Sequence, residues 1–161
     1  MPKPRVYVET TIPNFYYDFR GPAEIAARRI ATRQWWTRAS ERYDLVTSSY
    51  VQHELSAGTS GMTPLRLHLL DGIPALQIVP AVHDLVQVYI ANKLMPAKPL
   101  GDAMHLALAS YYDCDFIVTW NCRHLANPNK ATHIRQINTR LGLCVPALVT
   151  PSDLMKGGFD V

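Results

Sequence analysis

The sequence has no apolar run approaching the roughly 20 residues that a membrane-spanning helix needs, although 48% of its 161 residues are hydrophobic. Its first residues lack the charged, apolar and small-residue zones of a signal peptide. Only three cysteines are present, and they form no C-x-x-C pair, so neither a disulfide framework nor a structural zinc site is indicated. These absences predict a cytoplasmic protein without membrane association, folded as a single domain over residues 1–161.

Positive charge is concentrated near the start of the chain. The net charge is +3, yet the first 42 residues carry eight Lys or Arg against four Asp or Glu. Much of this excess lies in the helical stretch AEIAARRIATRQWWTRASERY, whose predicted buried face consists of Ala27, Ala31, Trp35 and Ala39. Three arginines lie largely off that face: Arg29, Arg33 and Arg38. They form either a solvated helix face or a basic wall beside a polyanion, since guanidinium groups pair well with phosphates.

Short apolar runs alternate with helical patterns along the chain. The strand-like runs are RVYVE, YDLVTS, ALQIVP, CDFIVTWN and LCVPALVT. Strands separated by helices are typical of an α/β domain. The sequence therefore predicts a three-layer α/β/α arrangement with a mainly parallel five-stranded sheet and helices on both faces.

Four polar side chains follow or lie close to the predicted strand ends. Glu9 comes directly after the first strand, and Asn121 comes directly after FIVTW. Glu54 lies in the helix after the second strand, while Asp102 opens the helix GDAMHLALASYY. The buried face predicted for that helix consists of Met104, Ala107, Leu108 and Tyr111. Because ligands of open parallel sheets bind at the carboxyl ends of the strands, these positions predict a site.

Each of these four residues also has a simpler interpretation. Glu9 is an ordinary polar exit from the core, Asp102 and Asn121 are good helix N-caps, and Glu54 is a surface residue facing Arg or Lys. Together, however, they supply four oxygen donors that one sheet edge would gather into an acidic cluster. A hard divalent ion such as Mg²⁺ or Mn²⁺ would relieve the repulsion in that cluster. Phosphodiester hydrolysis is the natural chemistry of such a centre.

At these positions the sequence resembles the PIN-domain ribonucleases, and among them the toxins of VapC-type toxin–antitoxin pairs. The resemblance covers nearly the whole chain and lies in four motifs: VYVETTIPNFYYD, SSYVQHEL, GDAMHLALA and CDFIVTWNCRHL. It implies a single PIN-like domain, a Mg²⁺ or Mn²⁺ site and endonucleolytic cleavage of RNA. It further implies a small antitoxin protein as a partner and a homodimer.

Carried over by position, the resemblance assigns Glu9, Glu54 and Asp102 as metal ligands and Asn121 as the fourth catalytic position. Two of these depart from the family pattern. Glu9 stands where the family usually has Asp, so the ligand reaches one methylene farther. Asn121 stands where Asp is commoner, which removes one negative charge and weakens the case for a second ion.

Four further residues are secondary candidates for the site. Thr10 and Thr119 would hydrogen-bond a ligand carboxylate, although backbone groups are alternative partners for both hydroxyls. His105 lies one turn after Asp102, where it either faces the site or is an ordinary core or surface histidine. Arg123 is placed to touch a substrate phosphate, but a solvated helix start accounts for it equally well.

Two other functions are compatible with the same residues. The first is a PIN-like domain that binds nucleic acid or a protein without cutting, because the departures at Glu9 and Asn121 weaken the site. The second is a metal-dependent phosphatase of another α/β fold. Phosphatases with a covalent aspartyl intermediate need Asp at the strand end, for which Glu9 is a poor substitute.

Overall fold

A computed structural model describes residues 2–121 and 128–156 of the chain. Within these ranges the strands are β1 (Arg5–Val8), β2 (Asp44–Ser48), β3 (Ala75–Leu76), β4 (Phe116–Val118) and β5 (Ala147–Val149). The helices are α1 (Thr11–Tyr16), α2 (Ala23–Arg42), α3 (Ser49–Ser56), α4 (Thr63–Leu69), α5 (Pro80–Ala91), α6 (Gly101–Tyr111), α7 (Pro128–Arg140) and α8 (Pro151–Met155).

The five strands form one parallel sheet in the order β3-β2-β1-β4-β5. Central strand β1 pairs in register with both neighbours, since Val6 lies opposite Leu45 of β2 and Phe116 of β4. From β1 the chain adds β2 and β3 on one side and then crosses to add β4 and β5 on the other. The predicted α/β class with a parallel five-stranded sheet flanked by helices is confirmed, and the order reverses between β1 and β4.

Helices cover the sheet because its central strand is apolar on both faces. Val6, Tyr7 and Val8 are all fully buried, as expected for a strand inside a parallel sheet. Helices α1, α2 and α8 pack together, and α5 packs against α6. Within the described ranges, no helix has both the length and the apolar character required to cross a membrane.

The structure corrects several details of the sequence prediction. Helices α1 and α8 were not predicted, because segments of six and five residues are too short to show a helical period. On α2, Trp35 and Ala39 are buried as predicted, but Ala27 is exposed and Thr32 is buried instead. On α6, Tyr111 is exposed, because it is the last residue of the helix.

A buried polar network ties α5, α6 and α7 together. Asn138 of α7 accepts a hydrogen bond from the Tyr89 hydroxyl (2.7 Å) and donates to Ser110 Oγ and the Cys144 carbonyl, both at 2.9 Å. Tyr89, Ser110 and Asn138 are fully buried. Because burial without a partner is costly for a polar group, each member of the network depends on the others.

Replacing Asn138 with Ala should therefore destabilise the protein. The change leaves the Tyr89 hydroxyl without its 2.7 Å acceptor in a buried position, and we expect the free energy of unfolding in urea to fall by about 1 to 3 kcal/mol. The matched control is Asn92→Ala, because Asn92 is exposed and its amide donates only to the Val88 carbonyl. That control should change stability by no more than about 0.5 kcal/mol. Equal effects of the two changes would contradict the importance of the network.

Candidate functional site

The four residues singled out in the sequence converge at the carboxyl edge of the sheet, beside the point where the strand order reverses. Glu9 directly follows β1, and its backbone N–H bonds the Val118 carbonyl of β4 (3.3 Å). Asn121 follows β4, while Glu54 lies in α3 and Asp102 in the first turn of α6. Glu9 and Asp102 are buried. This is the place where open parallel sheets bind ligands.

Two threonine hydroxyls hold the Glu9 carboxylate in one orientation. Glu9 Oε1 accepts hydrogen bonds from the Thr11 backbone N–H (2.8 Å), the Thr11 hydroxyl (2.5 Å) and the Thr119 hydroxyl (2.9 Å). Each hydroxyl is itself oriented, because Thr11 Oγ1 accepts from the Trp120 N–H and Thr119 Oγ1 accepts from the Asn121 N–H. The backbone of the segment after β4 thus fixes a carboxylate at the end of β1.

The Glu54 carboxylate is held from two sides. Its Oε1 accepts from the Thr10 hydroxyl at 2.5 Å and lies 2.7 Å from His105 Nε2. Residue 101 is glycine, and a Cβ atom added there would lie 3.1 Å from Glu54 Oε2. The start of α6 therefore approaches Glu54 closely because Gly101 has no side chain. The alternative of a surface glutamate facing Arg or Lys is wrong, since Thr10 and His105 are its partners.

His105 lies between the two glutamates and is almost fully buried. Its Nε2 is 2.7 Å from Glu54 Oε1 and 4.0 Å from Glu9 Oε2. The distance between Glu54 Oε1 and Glu9 Oε2 therefore cannot exceed the sum of these two distances. On its other side, Nδ1 lies 2.7 Å from the Tyr7 hydroxyl. The secondary candidate His105 therefore faces the carboxylates and is not a surface residue.

Charge within the cluster determines how His105 and Glu54 titrate. Burial lowers the pKa of His105, but the hydrogen bond to Glu54 and the charges of the neighbouring carboxylates outweigh burial and raise the pKa above its usual value. Burial raises the pKa of Glu54, but the hydrogen bond and charge of His105, together with the Thr10 hydrogen bond, outweigh burial and lower it. The two shifts have opposite signs and a shared cause, because each partner favours the charged form of the other.

Asp102 and Asn121 complete the cluster. The Asn121 side-chain amide donates to Asp102 Oδ1 at 2.9 Å. Asp102 lies inside the first turn of α6, whose N-cap is Leu100, so the interpretation of Asp102 as an N-cap is wrong. The charge of Asp102 also acts on His105 and on Tyr50. Asp102 thus shares one electrostatic environment with the two glutamates.

The remaining secondary candidates are Thr10, Thr119 and Arg123. Thr10 bonds Glu54 and Thr119 bonds Glu9, so both hydroxyls reach carboxylates of the cluster and not only backbone groups. Arg123 lies outside the described residues. Sequence reasoning missed Thr11, Tyr7 and Gly101. Only Thr11 had a visible indication, since the pair of threonines directly after Glu9 places two hydroxyls at the same strand end.

The cluster is balanced by hydrogen bonds and by His105. Among residues 2–121 and 128–156, no three His, Cys, Asp or Glu side chains are arranged to enclose a metal ion. Glu9 and Glu54 each direct one oxygen to protein donors, and His105 lies between them. As it stands, the geometry is a preorganised acidic pocket containing one buried histidine.

No protein-family model matches this sequence, and no curated protein matches it. The family assignment therefore stays a prediction based on the four sequence motifs.

The His105–Glu54 pair should make stability depend on pH. A raised pKa in the folded state means that the contribution of His105 is fully present below about pH 6.5 and is lost as pH rises through the folded pKa. The lowered pKa of Glu54 gives a contribution that is present above about pH 4.3 and is lost as pH falls through the folded pKa. Urea unfolding in EDTA, followed from below about pH 4.3 to above about pH 6.5, measures both losses.

The control for this experiment is His105→Gln, whose amide keeps a donor near Glu54 but does not titrate. The difference between the wild-type and variant curves isolates His105 from the other histidines. We expect the variant to lack the decline in stability above about pH 6.5. Parallel curves would show that folding does not raise the pKa of His105.

Proposed function

We propose that this chain is a metal-dependent endoribonuclease of the PIN type. One observation carries the proposal: Glu9, Glu54 and Asp102, from three separate parts of the sequence, gather with Asn121 where the strand order reverses. Ordinary surface acids have no reason to converge there, and burying them together is unfavourable unless a cation or a polar ligand uses them. The four sequence motifs supply the choice of RNA as substrate.

The proposal of a small hard ion is supported by the chemistry of the donor atoms, although the described side chains are not arranged to enclose an ion. All of the predicted ligand atoms are oxygens, which Mg²⁺ and Mn²⁺ prefer. Glu9 Oε2 and Glu54 Oε2 take no hydrogen bond from any described residue, because the donors gather on the Oε1 atoms. A side chain at position 101 would crowd Glu54 Oε2, because a Cβ there would lie 3.1 Å from that oxygen. Glu9, Glu54 and Asp102 would therefore hold the ion.

The residues of the chain have separable roles in this mechanism. A bound divalent ion would polarise the scissile phosphate and lower the pKa of attacking water. Thr11 and Thr119 fix the Glu9 carboxylate before substrate arrives, so little reorganisation is needed. Asn121 orients Asp102 through its 2.9 Å hydrogen bond. His105 orients Glu54 and reduces the net negative charge that an approaching phosphate meets.

A toxin role, a small antitoxin partner, a homodimer and a cytoplasmic location are further parts of the proposal. They are supported by the sequence resemblance and by no contact in the structure. RNA cleavage can be tested without them.

A PIN-like binding module that does not cut is the second candidate. It is favoured by the position of His105, which already neutralises part of the cluster and lies 2.7 Å from one predicted metal ligand. In that case the carboxylates would be structural, and divalent ions would have no effect on the protein. The experiments below separate the two candidates.

RNA cleavage should require Asp102. Labelled single-stranded and structured RNAs are incubated with wild-type protein in Mg²⁺, Mn²⁺ or EDTA, and the products are resolved on a gel. We expect metal-dependent cleavage that Asp102→Asn reduces by more than the roughly 10- to 100-fold typical of losing an outer-shell partner. The matched control is Asp71→Asn, because Asp71 is exposed, forms its ion pair with His68, and lies two positions after the end of α4, away in sequence from the residues of the cluster. Cleavage that survives EDTA or Asp102→Asn would refute the proposal.

Divalent ions should also stabilise the folded protein. At a free Mn²⁺ concentration about 100 times the Kd, the Tm of wild type should rise by about 5 to 10 °C. Asp102→Asn should lose this shift while the Tm without metal stays the same or rises, because one repelling charge is removed. Asp71→Asn should keep the full shift. An undiminished shift in Asp102→Asn would assign Asp102 a structural role only.

A further inference from the structure

A groove opens directly beside the carboxylate cluster. It runs along α1 and the segment that follows, and it is closed on the far side by residues 60–66. Its lining includes Thr11, Asn14, Phe15, Tyr17, Phe19 and Arg66. Thr11 belongs to both features, because it lines the groove while its hydroxyl bonds Glu9. We call this feature the α1 groove.

Two arginines of α2 fix the aromatic side of the α1 groove. Arg33 Nε donates to the Tyr16 carbonyl and Arg29 Nη1 donates to the Asp18 carbonyl, both at 2.8 Å. The Arg33 guanidinium also lies 4.3 Å from the centre of the Tyr16 ring. These arginines are thus more than a solvated helix face, because each donates to a backbone carbonyl of the segment around α1. They anchor the backbone that carries the groove aromatics.

Arg38, the third arginine of the sequence prediction, behaves differently. It is exposed and pairs with Glu41 of the same helix at 3.4 Å. The solvated-face interpretation therefore applies to Arg38. Arg38 is distant in sequence from α1 and pairs within its own helix. It is therefore a suitable control for Arg66, the arginine that lines the α1 groove.

Phe19 is held in place yet remains open to a ligand. The guanidinium groups of Arg29 and Arg33 lie 5.1 and 5.3 Å from the centre of its ring. Nevertheless the residue is 59% exposed, the highest exposure among the large hydrophobic residues of the described chain. An aromatic ring that is positioned by cations and exposed to solvent is the usual platform for stacking an unpaired base.

The charged residues of the α1 groove favour an anion. The carboxylate of Asp18 is paired with Arg20 at 2.6 Å. Arg66, in contrast, has a buried Nε with no hydrogen-bond partner among the described residues. Arg66 also lines the groove and its charge acts on Asp18. Its guanidinium is therefore placed to pair with a phosphate bound in the groove, because guanidinium and phosphate groups match in geometry.

We propose that the α1 groove binds a single strand of RNA next to the carboxylate cluster, with Phe19 stacking on a base and Arg66 pairing with a phosphate. The choice of RNA rests on the proposed function, and the groove defines which form of RNA fits. A duplex keeps its bases paired and stacked, so it offers no free base to Phe19. An acidic protein segment would satisfy Arg66 but would not account for an aromatic platform beside a phosphodiester-cleaving site.

The first test measures stacking. Wild-type protein is titrated into a fluorescein-labelled single-stranded RNA of about a dozen nucleotides at low salt in EDTA, and anisotropy gives the Kd without cleavage. Phe19→Leu, which keeps apolar bulk but no aromatic face, should weaken binding by about 5- to 150-fold. Phe19→Tyr should bind as wild type does. The matched control is Tyr111→Leu at the far end of α6, which should leave the Kd unchanged.

The second test measures the phosphate contact. The salt dependence of binding is compared for wild type, Arg66→Gln and the control Arg38→Gln. Loss of one phosphate contact to a single strand should make the slope of log affinity against log salt shallower by about 0.7. Arg38→Gln should leave the slope unchanged. Duplex RNA of the same sequence should bind without any dependence on Phe19.

Several results would overturn the groove proposal. These are absence of RNA binding by wild type at low salt, equal losses in Phe19→Leu and Tyr111→Leu, or a Phe19→Tyr variant that binds as poorly as Phe19→Leu at an unchanged Tm. Failure of the nuclease proposal is distinguishable, because binding in EDTA does not depend on cleavage. Binding that depends on Phe19, without metal-dependent cleavage, would support the groove proposal and contradict the nuclease proposal. Metal-dependent cleavage without binding in the α1 groove would support the nuclease proposal and contradict the groove proposal.

Discussion

The contact between His105 Nε2 and Glu54 Oε1, at 2.7 Å, is the interaction on which the arrangement of this sheet edge depends. Three carboxylates are brought together by the topology, because β1 and β4 are neighbours and α3 and α6 begin near the same edge. In the absence of any other cation, their repulsion would favour protonation or opening of the cluster. The buried His105 ring lies between the two glutamates, where their charges raise its pKa, and the Tyr7 hydroxyl at its other nitrogen fixes its position.

The threonines give the same edge its rigidity. Glu9 has three hydrogen bonds to Oε1, and the hydroxyls that donate two of them are oriented by backbone N–H groups of the segment after β4. A carboxylate held in this way keeps its position whether or not a ligand is present, because each donor has its own partner. The same hydroxyl of Thr11 lies at the border of the α1 groove, so a strand bound there would pass beside a carboxylate that does not need to move.

Sequence reasoning predicted the sheet and the converging residues well, for a physical reason. Apolar strands and the polar residues that end them are local features, so Glu9 and Asn121 could be placed at strand ends from the sequence alone. The partners of these residues could not be placed, because they depend on contacts between distant segments. The hydrogen bond from Thr119 to Glu9 spans 110 positions, and no local pattern reveals it.

The same dependence on contacts between distant segments explains where the structure differs from the sequence prediction. Tyr111 had the correct period for the buried face of α6, but burial also depends on where the helix ends. Arg29 and Arg33 were interpreted by their charge, whereas their positions are determined by the carbonyl groups of Asp18 and Tyr16, to which they donate. A helical pattern shows which residues share a face, and it does not show which loop will pack on that face.

The distribution of hydrogen bonds over the cluster also bears on how many ions the proposed site would hold. Glu9 and Glu54 each have Oε1 occupied by protein donors, so each offers one oxygen, and Asn121 donates its amide to Asp102 where a fourth carboxylate would otherwise add charge. Two ions about 3.5 to 4 Å apart need carboxylates that bridge them, and a carboxylate with one oxygen already held bridges poorly. A single Mg²⁺, by contrast, needs only one or two carboxylates and retains several waters. If the proposed site holds a metal, this distribution of hydrogen bonds would therefore favour one ion over two.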